Sequence, residues 1–347
     1  MTKQYRLADL TKGLPVTIQG NDQIVISGIG TIEEAQAGQI AFLANPLYKR
    51  FLQTTKASAV ILTPDEASDF SGTAVITSNP YFIYAKIAAH FSPARVMTTG
   101  IHPSSVIGND CHIDPTASVG PHCVIGDRVN IGKNALIGAG TIIGADSSIG
   151  DETHIDSKVS IYHQVRIGAR CRIMAGAVIG SDGFGFANQS GNWHKVPQLG
   201  GVLIGDDVDV GANTTIDRGA VQDTVIGNGV KLDNLIQVGH NVQIGDHTII
   251  AGCAAISGST IIGKHCMIGG ASCFAGHIKI ADKVVITGMT AVTKSITEPG
   301  MYSSGIVGAV PNLEFRKNNA RFHRLENLMQ RVKQLETLLN NKSEVES

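Results

Sequence analysis

No apolar stretch in this chain approaches the roughly 18 residues that a membrane-crossing helix requires, so helical membrane insertion is excluded. The six cysteines (Cys111, Cys123, Cys171, Cys253, Cys266 and Cys273) include no C-x-x-C pair, which argues against a thiolate zinc site or a disulfide framework. Charge is scarce, at 16% of residues, and nearly balanced: 28 basic against 29 acidic residues leave a net charge of -1. Nothing global therefore attracts nucleic acid or anionic lipid, and a charged partner must be met by a local patch. Aromatic residues are only 5% of the chain, with a single tryptophan. The start, Met1-Thr2-Lys3-Gln4-Tyr5-Arg6-Leu7, lacks the apolar core of a secretory signal, so a cytoplasmic protein is expected.

What is abundant is glycine. Forty in 347 residues is roughly 12%, against a usual share of about 7%. Proline numbers only 11 and no G-X-Y period exists, which excludes collagen, while 43% hydrophobic residues exclude disorder.

A period of six organises the chain. Every sixth residue from Ile101 through Ile107, Ile113 and Val119 to Ile179 is a β-branched aliphatic, fourteen in a row. The rhythm resumes at Ile204, Val210 and Ile216, slips by four residues, and runs from Ile226 to Val292, with Phe274 its one aromatic; the total is 29 hexapeptides. Six matches neither the 3.6-residue helix nor a hairpin sheet with turns every 8 to 12 residues, but it suits a parallel β-helix. Each hexapeptide then supplies a short strand and a corner, three make an 18-residue coil, and about ten coils give a prism on the order of 45 Å long. Glycine often follows the aliphatic residue, as at Gly108, Gly126 and Gly245, where tolerance of positive φ would suit a corner. Small residues four places on, among them Cys111, Cys123, Cys171 and Cys266, read as interior fillers. The pattern resembles the hexapeptide-repeat acyltransferases. That resemblance implies a left-handed coil, where the general rule for parallel crossovers would favour the right, and trimers with active sites between neighbouring prisms.

Residues 1–100 lack the repeat and mix apparent strands (Gln23 to Ser27, Ser58 to Leu62, Ala74 to Thr77) with a helical stretch from Pro80 to Phe91, so an α/β domain is expected there. The solenoid is expected over 101–310. Two interruptions break it: the excursion 180–203, of the kind that is usually functional, and the four-residue surplus in Asp217 to Asp223. Over 311–347 glycine disappears, and Leu325, Leu328, Val332, Leu335 and Leu339 form a short helical seam suited to partner subunits.

Among the twelve histidines, His247 and His265 are 18 apart and should stack on consecutive coils. His240 and His277, 37 apart, fall on one edge two coils apart, about 10 Å along the axis, with Ser257-Gly258 between them. One reading is enzymatic: His240 removes a proton from a nucleophile, His277 places a substrate, and the Gly258 N–H stabilises an oxyanion. The other is a pair of solvent-facing corner histidines. A zinc hydratase of the same fold would need a third histidine, and Gly245 and Asp282 stand five places after His240 and His277, so no metal is expected.

Ile216-Asp217-Arg218-Gly219-Ala220, Lys231 to Gln237, Gly239-His240-Asn241-Val242, Met267 to Ser272 and Tyr302-Ser303-Ser304-Gly305 resemble the UDP-3-O-(3-hydroxyacyl)glucosamine N-acyltransferases of lipid A synthesis. Gln39 to Tyr48 and the Asp182-Gly183-Phe184-Gly185 loop extend the likeness to nearly the whole chain. The resemblance implies His240 as base with His277 beside it, Asp233 and Asn234 orienting groups near the base, and Met289 bordering the prosthetic arm of an acyl carrier protein. Phe42 and Tyr48 would stack on the uracil of UDP-3-O-acylglucosamine, and Asn45 would read its edge. It further implies a homotrimer, direct attack of the 2-amine on a 3-hydroxyacyl thioester, and no tightly bound cofactor, the phosphopantetheine arriving on the carrier. Arg316, Lys317, Arg321 and Arg324 either dock that acidic carrier or form a solvated helix face. A related transferase using acetyl-CoA or acylating a hydroxyl, and a non-catalytic or metal-dependent trimer, are the alternative classes.

Overall fold

In the computed structural model, which describes residues 3–92, 98–304 and 311–345, the sixth-residue aliphatic positions stack in register. One column runs Ile107, Ile125, Ile143, Ile161, Ile179, Ile216, Val238, Ile256, Phe274, Val292, each paired in parallel with the next. Two sister columns complete a three-sided prism whose parallel sheets hold 9, 11 and 10 strands. The sheets close on themselves in a single core of buried Ile, Val, Ala and Cys, with Phe274 its one ring. This is the mainly β, hexapeptide-built parallel β-helix that the period indicated.

Strands of two or three residues leave little room for apolar surface, so each coil is stable only between its neighbours. The second interior position is filled by small side chains whose polar atoms are all committed. Thr141 Oγ1 donates to Asp156 O, Thr153 Oγ1 to Gly168 O, and the thiols of Cys123, Cys171 and Cys266 sit 3.1, 3.1 and 3.2 Å from carbonyl oxygens of the next coil. Burial pushes these three thiols above the usual cysteine range, as expected of packing residues rather than redox groups.

The corner glycines have a different reason from the expected one. Positive φ falls three residues after the aliphatic position, on Asp110 (55°), Arg128 (57°), Lys158 (59°) and Gln164 (59°), and not on Gly108, Gly126 or Gly245. Those glycines sit where the next coil crosses: a Cβ on Gly126 would lie 2.6 Å from Ala145 N, and one on Gly245 2.6 Å from the carbonyl carbon of Gly263. Close approach of two backbones, not a left-handed turn, selects glycine there.

By its contacts the chain divides into two units, 1–96 and 97–347. The first holds a five-stranded sheet in the order Thr17–Gln19, Ala74–Ile76, Ala59–Leu62, Gln39–Phe42, Gly28–Ile29, parallel except at the first pair. Helix Pro80–Phe91, capped by Asn79 Oδ1 accepting from Phe82 N–H at 3.1 Å, packs Ile83 and Ile87 into its core. The tail comprises helices Asn312–Phe322 and Leu325–Val345, and Leu325, Leu328, Val332 and Leu335 are exposed along it. The ends of the expected segments at 305–310 and 346–347 lie outside the described residues. No helix among the described residues is long and apolar enough to cross a membrane.

Gly126→Ala should therefore lower the thermal midpoint, the overpacking costing about 1–3 kcal/mol. Lys158→Gly, at an exposed positive-φ corner, should change it little. The reverse ranking in thermal unfolding would show that turn conformation, not coil crossing, selects these glycines.

Candidate active site

The two interruptions of the repeat meet. The excursion leaves the prism after strand Val178–Ser181, forms the hairpin Phe186–Gln189 and Asn192–Lys195, and returns through Leu199 and Gly200, whose N–H groups donate to Ala220 O (2.8 Å) and Gly219 O (2.9 Å) of the four-residue surplus. Arg218, only 1% exposed, ties the junction: Nε donates to Gly200 O at 2.7 Å, one terminal nitrogen contacts the His163 ring at 2.7 Å, and the other reaches Gln164 Oε1 at 3.3 Å. Beside this junction lies a groove of about 710 Å³. Asp182, Phe184, Phe186, Lys195, Asp217, Gln237, His240 and Gly258 are among its walls.

His240 follows strand Gln237–Val238 at a prism corner and is half-buried. Its neighbour Asn241 settles the state of the ring. Asn241 Nδ2 donates to Gln222 O at 2.7 Å, and its Oδ1 accepts from Ala220 N–H at 3.0 Å, which fixes the amide. The same Oδ1 lies 3.0 Å from His240 Nδ1 and can only accept, so Nδ1 carries the proton. Nε2 is left with its lone pair, against Gly258, where a Cβ would come 2.6 Å from it.

Gly258 is one of the corners whose N–H has no side-chain cap. At many corners the N–H two places after the aliphatic residue is capped by an Asp or Asn oxygen of the next coil, as Asn109 by Asp127, Lys133 by Asp151 and Lys264 by Asp282. The residue above Gly258 is Gly276, which has no side chain with which to cap it. A bare N–H beside a basic ring nitrogen is what acyl transfer asks of a site.

The other groove groups are polar and charged. Asp182 forms an ion pair with Lys195. Asp217 accepts from Ser181 Oγ at 3.1 Å and Gln237 Nε2 at 2.9 Å; burial pushes its carboxyl above the usual carboxylate range, opposed by these hydrogen bonds.

The remaining expected residues are distributed over other places. His277 shares the edge of His240 but stacks over Ser259 and Asn241, one position aside, its N–H donating to Gly258 O at 3.1 Å. Asp233 and Asn234 stand on the preceding edge, one prism face away. There Asp233 accepts from Asn234 N–H and Gly252 N–H, and Asn234 Oδ1 from Ala212 N–H at 2.7 Å. Within one chain they cap coils and do not line the His240 groove. Exposed Met289 lies on that same edge, in line with Leu235, Cys253 and Ala271. His247 and His265 stack at 5.2 Å on the third edge.

In the 1–96 unit, Phe42, Asn45 and Tyr48 do converge, with Glu33, Glu34 and Tyr81, on a cavity of about 570 Å³ at the carboxyl end of strand Gln39–Phe42. Phe42 stacks one face on Tyr84, with centroids 4.1 Å apart, and Tyr48 is 48% exposed. Asn45 Oδ1 accepts from Leu47 N–H at 3.0 Å, which leaves its amide hydrogens for a ligand. Sequence reasoning missed Tyr81 and both glutamates, and in the prism it missed Asp217, Gln237 and Asn241. The latter three stand in the motifs that carry the family likeness, and only Asp217 adjoins an interruption of the repeat.

Nitrogen-detected NMR of the His240 ring should show the Nδ1–H tautomer in its neutral state, and Asn241→Leu should lose that preference. An Nε2–H tautomer in the unaltered protein would overturn the assignment of the free lone pair.

Comparison with known proteins joins these parts. The family model for UDP-3-O-(3-hydroxymyristoyl) glucosamine N-acyltransferase matches residues 23–90, that for the bacterial transferase hexapeptide matches 223–258, and that for the hexapeptide repeat of succinyl-transferase matches 259–294. The UDP-3-O-acylglucosamine N-acyltransferase of Pseudomonas fluorescens strain SBW25 is 54% identical over 97% of this chain and 95% of its own length. That of Coxiella burnetii is 49% identical over 96% and 98%. The solved UDP-N-acetylglucosamine O-acyltransferase of Moraxella catarrhalis is 28% identical over 56% of this chain and 67% of its own, with a TM-score of 0.44. With an amino-terminal unit and a repeat that both match, and identity sustained from end to end, this chain belongs to the UDP-3-O-acylglucosamine N-acyltransferase family of acyltransferases.

Proposed function

We propose that this chain transfers a 3-hydroxyacyl group from an acyl carrier protein to the 2-amine of UDP-3-O-acylglucosamine, a step of lipid A synthesis in the cytoplasm. One observation carries the mechanism: the locked tautomer of His240 directs a basic Nε2 toward Gly258, a corner without the usual side-chain cap. The neutral amine attacks the thioester carbon, a C–N bond forms, and Nε2 takes the amine proton. The Gly258 N–H stabilises the oxyanion. On collapse the C–S bond breaks, and the imidazolium returns its proton to the leaving thiolate, giving amide and thiol. No covalent enzyme intermediate is needed.

The sugar nucleotide is held in the cavity of the 1–96 unit, with uracil against Phe42 and Tyr48 and its edge read by Asn45. Acyl transfer takes place in the His240 groove, and His277, on the same edge, places a substrate. A homotrimer accounts for Asp233, Asn234 and Met289: in an arrangement of neighbouring prisms they face the base from another chain, with Met289 bordering the phosphopantetheine arm. The exposed basic residues Arg316, Lys317, Arg321 and Arg324 suit an acidic carrier.

The test is acyl transfer from a 3-hydroxyacyl carrier protein, with acetyl-CoA as competing donor. His240→Ala should lose about 10²–10⁴-fold in turnover, and Phe42→Ala should raise KM for the sugar nucleotide with little change in kcat. Full turnover by His240→Ala would remove it as base; a preference for acetyl-CoA would overturn the donor.

A further inference from the structure

The partner of His240 orients the ring but brings no charge to it. When Nε2 accepts a proton the ring becomes a cation, and Asn241 Oδ1 offers only an amide dipole. Two carboxylates line the groove. Asp182 is already neutralised by Lys195. Asp217 is held only by neutral donors, Ser181 Oγ and Gln237 Nε2, and no ion pair engages it among the described residues. Its sequence neighbour Arg218 spends its guanidinium on Gly200 O, the His163 ring and Gln164 Oε1. Both Asp217 donors come from fixed elements: Ser181 ends the strand before the excursion, and Gln237 lies on the strand that leads into His240. The carboxylate is thereby anchored in the wall of the groove that His240 also lines.

We propose that Asp217 is the countercharge of protonated His240, a positioning residue that acts through the base and stabilises the ion pair formed as the amine attacks. The role that an acidic residue often takes in a His-carboxylate dyad is divided here. Asn241 sets the tautomer, and Asp217, which lines the same groove, sets the electrostatics. This rests on the reading of His240 as base. The titratable groups around the pair are Asp182, Lys195, Arg218 and His163, with His277 two coils away; the first two cancel, and Arg218 is engaged elsewhere.

Asp217→Asn removes the charge and keeps the shape. Loss of a nearby negative charge disfavours the imidazolium, so the NMR titration of the His240 ring should move to lower pH by about one unit. The acidic limb of the kcat/KM profile should move the same way, and kcat on the alkaline plateau should fall roughly tenfold, with KM for both substrates little changed. Asp217→Glu, which retains the charge, should hold the ring titration near its original position, and thermal unfolding of each variant reports whether the fold is intact. A drop in kcat with an unmoved His240 titration would reduce Asp217 to a structural role and overturn the proposal, as would an unchanged kcat. These outcomes separate from failure of the underlying reading, which is decided by turnover of His240→Ala.

Discussion

Main-chain hydrogen bonding from each coil to the next is the constraint on which the rest of this molecule depends. Strands of two or three residues have no stability apart from their neighbours, so coils must lie close enough to pair along their whole length. That closeness fixes glycine where corners cross, puts small hydroxyl and thiol side chains in the interior, and places Asp or Asn where an N–H would otherwise be stranded. Composition follows from spacing.

Catalytic potential arises where that regularity is relaxed. The excursion and the four-residue surplus are separate in sequence but joined by Leu199, Gly200 and the buried Arg218. Asn241 binds the surplus on one side and His240 on the other, so the irregular backbone itself determines which nitrogen of the histidine is basic. At Gly258 the departure is a missing side chain. The interior is closely hydrogen-bonded, whereas the Gly258 N–H, beside the His240 ring, has no side chain above it to cap it.

Much of this was legible in the sequence, for reasons that also set the limit. A strict period of six projects directly onto three columns, so the solenoid, its interior cysteines and the stacking of His247 on His265 could be read by counting. The family likeness picked out His240 and the trio Phe42, Asn45 and Tyr48. Counting also put His277 on the edge of His240, where a separation of 37 rather than 36 sets it one place beside that column. Asp233 and Asn234, which the likeness and not the period placed near the base, stand on the preceding edge of their own chain. Asp217 and Asn241 were visible only as members of motifs, because their importance lies in hydrogen bonds that the surplus loop creates. The glycines were counted correctly but explained by the wrong conformation.

The two insertions also carry a consequence for how such a chain can change. Ile167 pairs with Ile204 and Ile204 with Ile226, separations of 37 and 22 in place of 18, yet both return the strand to the same sheet in the same register. Insertions of this kind are phase-neutral: coils above and below do not sense their length. Working parts can then be enlarged, trimmed or exchanged at a corner while the interior columns continue unbroken, which makes the prism a mechanical chassis whose tooling is replaceable piece by piece.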